Sequence, residues 1–330
     1  MQVCFCAISR FTSPVTELRE AQLQDGSFEF LAIFLEGLPF IFMGTIVSGF
    51  LGTYLPRNAF ERFLPKNRTL AIFVSGLLGA VFPVCECAVV PVIRRLVKNG
   101  LPVSCALTYM LAAPIFNPVT AISTYKAFNN SYAIAGSRLA MGWLIAVAVG
   151  LVMARIAHQH FLKPSAIESG NEHHHPRNLK TAMNNSLRDF MDVGLYFTIG
   201  VILTALLKTT VIDPTSDFWK NLADNSLAAT PAMMVLAFIL SLCSTSDAFI
   251  AANIGNFKYA PKLAFMVFGP MMDAKLIFLY STVFRWKFIF FLFLGLFAAT
   301  WGLSLAFEHG LGSYDSFMES YWGSEKEVAP

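Results

Sequence analysis

The sequence predicts an all-α, polytopic integral membrane protein of about eight spans, built as two pseudo-repeated halves with discontinuous helices. Three observations carry that prediction: an apolar composition, apolar runs of bilayer length, and matched breaks within those runs. The chain has 330 residues, 55% of them hydrophobic and only 14% charged, with 32 Phe and a mean hydropathy of +0.57. A soluble domain carries about 25% charged residues. The balance excludes a soluble enzyme, a disordered tail and a nucleic-acid binder, and a net charge of +3 is too small to point to polyanions.

A bilayer-crossing helix needs about 20 mostly apolar residues. Candidate spans run over 37–56 (the apolar pattern reaching back to 28), 70–92, 101–125, 131–156, 186–207, 228–254, 261–284 and 288–307. They divide the chain into a tail over 1–27, a first membrane half over 28–157, a polar linker over 158–185, a second half over 186–308 and a tail over 309–330. The N-terminus lacks the pattern of a cleaved secretory signal. Lys and Arg are slightly more numerous on the N-terminal side, which favours cytoplasmic termini.

The halves resemble each other. An offset of 159 residues (244 minus 85) sets Cys85-Glu86-Cys87 on Ser244-Thr245-Ser246 and Pro102 on Pro261. A second break follows in each half, at Pro114-Ile115-Phe116-Asn117-Pro118 and at Gly269-Pro270-Met271-Met272-Asp273. Paired Pro/Gly-interrupted spans at corresponding places are the sequence pointer to a transport site.

In the first break, Pro83 and Pro91 predict that the helix stops and restarts between them, since proline lacks the helical donor and clashes with the preceding turn. Irregular backbone at membrane depth must be buried in protein or line a cavity. Here the sequence places Cys85, Glu86 and Cys87. Two thiols this close suit a soft, thiophilic cation or a trivalent arsenic centre, held transiently and not in a closed metal cage. Packing is the alternative role for each Cys. In the second half, Ser244, Thr245 and Ser246 are helix-capping residues. Asp247 beside them needs a partner, for which Lys275 is the natural candidate, with Asp273 close by. Asn117, between Pro114 and Pro118, offers an amide inside an uncharged span, and Gly269 and Pro270 mark the corresponding break. Cys105 and Cys243 read as packing residues, Glu29 and Glu36 as residues at the mouth of the first span, and His173-His174-His175 as part of a solvated loop. Cys4 and Cys6 lie in the N-terminal tail.

These motifs, with Leu38-Pro39-Phe40 and Ala112-Ala113-Pro114, resemble the predicted-permease family that includes the ArsP-type organoarsenical efflux permeases and the YraQ-like proteins. The resemblance covers about residues 30–305. It implies a multi-pass permease of the bacterial inner membrane. In some members the substrate is a trivalent organoarsenical, and others are linked to metal-cation efflux.

The reading that results is a secondary efflux permease for a small thiophilic solute or soft metal ion, with the lipid bilayer as its other partner. Cys85 and Cys87 are its transient ligands, while Glu86, Asp247, Asp273 and Lys275 compensate charge or couple protons. Nucleic acid is not a partner, no cofactor is called for, and homo-oligomerisation stays open. No Walker A loop, GxSxG or HExxH is present, so uphill transport draws on an ion gradient or a partner, and the lack of a nucleophile–base–orienter set argues against an enzyme. Two rivals remain: a permease for another small solute with Cys-Glu-Cys as a mere helix break, and a non-transporting sensor or assembly module.

Overall fold

A computed structural model describes residues 27–28, 30–50, 53, 65, 67–82, 84–98, 100–156, 179–211, 226–254 and 257–310. Pro83, Cys4, Cys6, the three linker histidines and nearly all of both tails lie outside the described residues. Within them the fold is helical. The helices are α1 (Phe30–Phe50), α2 (Arg68–Val81), α3 (Glu86–Lys98), α4 (Val103–Ala112), α5 (Pro118–Ala127) and α6 (Tyr132–Arg155) in the first half. The second half holds α7 (Leu179–Val211), α8 (Ser226–Leu240), α9 (Ser246–Asn253), α10 (Tyr259–Met271), α11 (Ala274–Tyr280) and α12 (Trp286–Gly310).

Five segments are long and apolar enough to cross a bilayer: α1, α6, α7, α10 with α11, and α12. The other three predicted spans are each divided into consecutive helices, α2–α3, α4–α5 and α8–α9. Each half therefore reads long helix, broken pair, broken pair, long helix. One boundary moves: α7 starts at Leu179, inside the stretch read as linker.

Packing repeats the pattern. In the first half α2 packs on α4, α4 on α6 and α2 on α6, and in the second α8 on α10, α10 on α12 and α8 on α12. Across the halves the broken elements exchange partners, α3 meeting α11 and α9 meeting α5. The first break of each half thus lies against the second break of the other, which is the pairing a pseudo-two-fold relation demands.

The surface is apolar and the interior holds charge. Phe28, Leu35, Phe291 and Met191 are all more than 60% exposed, whereas Glu86, Arg138, Asp247, Asp273 and Lys275 are each at most 4% exposed. That inversion suits lipid as solvent, where ionisable groups turn inward and pair.

The helix does stop at Val81 and restart between Pro83 and Pro91, and both second breaks fall within the predicted stretches, but three prolines sit differently from the break-marking role read for them. Pro91 does not terminate a helix but sits inside α3, which restarts at Glu86 and runs through to Lys98. Its ring removes the helical donor to the Cys87 carbonyl in the first turn, and α3 continues past the gap. Pro270 lies one residue before the end of α10, so the break falls at Met272 and Asp273. Pro118 is the first residue of α5, a position where its missing N–H costs nothing.

Candidate functional site

Breaking a helix in an apolar interior frees carbonyls that must find donors. Side chains supply them. Tyr109 Oη donates to the Phe82 carbonyl (3.3 Å), Thr120 Oγ1 to Pro114 (2.9 Å) and Tyr280 Oη to Met271 (2.9 Å). Lys275 Nζ donates to the Ser241 carbonyl (2.8 Å) and Arg138 Nη2 to Ser244 (2.9 Å). Each restarted helix then needs an N-cap. Asn117 Oδ1 accepts from the Val119 N–H (2.8 Å) and Asp273 Oδ1 from Leu276 (2.7 Å), so the two second breaks are capped alike. In the first break Cys85 is the residue ahead of α3, its carbonyl accepting the Val89 N–H at 3.1 Å.

Two charge clusters sit at these breaks. Arg138 Nη2 donates to both oxygens of Asp247 (2.9 and 2.8 Å), while Nη1 donates to Thr124 Oγ1 (2.7 Å). Lys275 Nζ lies 3.5 Å from Glu86 Oε1 and 3.4 Å from Asp273 Oδ2. The expected Asp247–Lys275 pair is therefore not formed: Asp247 belongs to Arg138, and Lys275 is shared by two other carboxylates. Arg138, which lies near the start of the 131–156 span, is 1% exposed inside α6. The signal for it was Asp247 itself, because a buried carboxylate needs a cation, and Arg138 is one of the few cations inside a predicted span, as are Arg188, Lys262 and Lys275. A third buried pair, Arg95 with Asp189 at 2.8 Å, ties α3 to α7, with Ser48 Oγ of α1 donating to Asp189 Oδ2 at 3.1 Å.

Beside the Lys275 cluster lies a cavity of about 870 Å3. Cys85, Glu86, Cys87, Asn117, Ser244, Thr245 and Lys275 border it, drawn from both halves. Ser246, Asp247 and Asp273 do not. Ser246 Oγ instead contacts Cys243 Sγ (3.1 Å), and Asp273 caps α11 behind Lys275. The cavity also takes Cys243, which sequence reasoning assigned to packing, and Glu36, assigned to the mouth of the first span. Cys105 is fully buried and away from it. Phe40, Phe82, Tyr109 and Phe197 supply most of its aromatic wall. Cys85, Cys87, Cys105 and Cys243 are free thiols. No group of three or more His, Cys, Asp or Glu among the described residues is arranged to hold a metal ion.

An inward-charged, lipid-facing bundle with capped breaks beside a half-open cavity defines a multi-pass membrane protein. Within that class the chain belongs to the family described as "Predicted permease", whose model matches residues 28–308. It is 35% identical over 269 residues to UPF0718 protein YcgR of Bacillus subtilis, covering 80% of this chain and 90% of that one. It is also 35% identical over 268 residues to a Streptococcus mutans protein named "Putative two-component membrane permease complex subunit", covering 79% and 87%. A weaker likeness, 23% over 122 residues, is to UPF0718 protein MJ0584 of Methanocaldococcus jannaschii, covering 36% and 33%. No solved structure matches significantly.

Proposed function

We propose that the protein is a secondary efflux permease of the bacterial inner membrane whose cargo is a small organic solute with a thiophilic centre, such as a trivalent organoarsenical. The observation that carries this reading is the cavity: Cys85 and Cys87 border one space of about 870 Å3 with a mostly apolar wall. That volume is within the range of about 300–1,000 Å3 typical of small-molecule sites. A bare soft metal ion fits it less well than an organic body does, because a third thiolate or imidazole is not gathered beside the pair among the described residues. Two thiols hold such a centre and still release it, which transport requires. Asn117, Ser244 and Thr245 provide the polar wall, and Glu86 with Lys275 compensates charge. Both termini are placed in the cytoplasm by this reading.

The test is an uptake panel in everted membrane vesicles: trivalent methyl- and phenylarsenicals, arsenite, copper, zinc and non-thiophilic controls. Thiol-dependent accumulation of the organic arsenicals, lost in the Cys85→Ser/Cys87→Ser double variant, is the expected result. Transport that survives the double replacement overturns the ligand role and leaves a permease for another solute. The name of the Streptococcus mutans relative supports a second subunit as partner. Co-purification from a strain expressing neighbouring membrane proteins separates that arrangement from a homo-oligomer.

A further inference from the structure

The charges around the cavity do not balance. Lys275 is the cation on its wall, and its ammonium is committed to Glu86, Asp273 and the Ser241 carbonyl. On the wall itself, among the described residues, Glu86 and, from α1, Glu36 stand against that single positive charge, while Asp273 shares Lys275 from behind it. Glu36 forms no ion pair among the described residues, and its carboxylate faces the Cys243 thiol. Glu86 is only 2% exposed, yet its Oε2 has no hydrogen-bond partner among the described residues. Arg138 cannot correct the imbalance, since both oxygens of Asp247 occupy it. An unpartnered carboxylate oxygen in an apolar interior is costly unless something positive completes it. The rest of the wall has the matching chemistry: Phe40, Phe82, Tyr109 and Phe197 present rings, and ring faces attract cations.

We infer that the cavity takes lipophilic organic cations, with the positive centre held between Glu36 and Glu86 and the apolar body against the aromatic wall. The inference rests on the cavity being the solute site, but not on the thiols. It adds a cargo class in which Cys85 and Cys87 have no covalent part.

Tetraphenylphosphonium and tetraphenylborate are nearly isosteric and opposite in charge, so together they isolate the electrostatic contribution. Equilibrium dialysis of each ion against the full-length protein in nanodiscs, with empty nanodiscs of the same lipid subtracted, gives the specific binding. Tetraphenylphosphonium is expected to bind at least about tenfold more tightly than tetraphenylborate, and Glu36→Gln to weaken it by about tenfold. Glu86→Gln should do the same, and because that variant also strips a partner from Lys275, the exposed Glu36 provides the arm free of folding cost. Equal binding of the two ions, or cation binding indifferent to Glu36→Gln, overturns the inference. Cation binding retained while thiol-dependent arsenical uptake is absent removes the thiophilic reading alone. Arsenical uptake without cation binding removes this one alone.

Discussion

The two halves share a plan but differ in how their first long helix meets the breaks. Aligning Gly37-Leu38-Pro39-Phe40 with Gly194-Leu195-Tyr196-Phe197 sets Met43 of α1 opposite Gly200 of α7. In the second half α7 packs on α11, and a Cβ at Gly200 would come within 3.0 Å of the Lys275 Cα and 3.1 Å of its carbonyl oxygen. In the first half Met43 borders the cavity and is 60% exposed, while α5 contributes Val119 and Thr120 to another part of the wall. Gly44, next to it, brings α1 against Ala88 at the start of α3 instead, with a would-be Cβ 2.8 Å from the Ala88 carbonyl oxygen. In both halves glycine lets the first long helix meet backbone, but on α11 in the second half, which seals that break, and on α3 in the first, which leaves Met43 beside the open cavity. Access to a break is thus a property of the flanking helix, not of the break.

The largest effect should come from the buried Arg138–Asp247 pair. Arg138→Ala leaves Asp247 buried without its cation, a loss of about 3–5 kcal/mol. Arg138→Leu combined with Asp247→Leu removes both charges and should recover most of that loss. Thermal unfolding followed by size-exclusion fluorescence in detergent reads both variants. An Arg138→Ala protein melting at the wild-type temperature would show that the pair contributes nothing. Next in size is Gly200→Leu, expected to cost about 1–3 kcal/mol by forcing α7 off α11. Met43→Leu at the matching place in the open half should be silent within about 0.5 kcal/mol. Equal effects at the two positions would erase the distinction between sealed and open halves.

The breaks were legible in the sequence because their causes are local. Proline, glycine and capping residues act within a turn, so the restart between Pro83 and Pro91 and the repeat between the halves follow from short motifs, whereas Asn117, read as an amide, and Asp273, read as a charge, prove to be helix caps. Pro91 was the exception, since proline in an early turn removes one hydrogen bond that the rest of α3 outlasts. Partner choice was not legible. Asp247 lies 109 residues from Arg138, and which cation reaches it depends on α6 packing beside α9 and α5. Lys275, two residues beyond Asp273, stood as the natural partner from sequence proximity alone. Glu36 and Cys243 reach the cavity for the same reason: their helices are brought to it by contacts that no local pattern encodes.

The equivalent caps sharpen the comparison at smaller amplitude. Asn117→Ala removes one cap and should cost about 1 kcal/mol. Asp273→Ala should cost more, up to about 2 kcal/mol, because the cap is lost and Lys275 loses a neighbour as well. Asp273→Asn keeps an acceptor for the Leu276 N–H and should fall between Asp273→Ala and wild type, as melting temperatures in detergent would reveal. Were Asn117→Ala the costlier of the two alanine variants, the Lys275 contact would have no energetic weight.

The smallest expected difference concerns the residues that end the first helix of each first break. The 159-residue offset pairs Phe82 with Ser241. Phe82 has an ordinary φ of −117° and its carbonyl takes the Tyr109 hydroxyl. Ser241 is left-handed, at φ 47°, and its carbonyl takes the Lys275 ammonium while its hydroxyl accepts the Ala274 N–H at 3.2 Å. Holding an L-residue there costs about 1–2 kcal/mol relative to glycine-like freedom. Ser241→Ala forfeits both hydroxyl contacts, from the Ala274 N–H and to the Phe238 carbonyl, and keeps the strain, a loss of about 1 kcal/mol. Ser241→Gly forfeits the same contacts but relieves the strain, so it should be less damaging than alanine by a few tenths of a kcal/mol or more. At Phe82 the order should reverse, with glycine no better than alanine, because that backbone has no strain to release. Melting curves for the four variants decide it, and glycine failing to outperform alanine at Ser241 would mean that the left-handed turn is not what positions the carbonyl for Lys275.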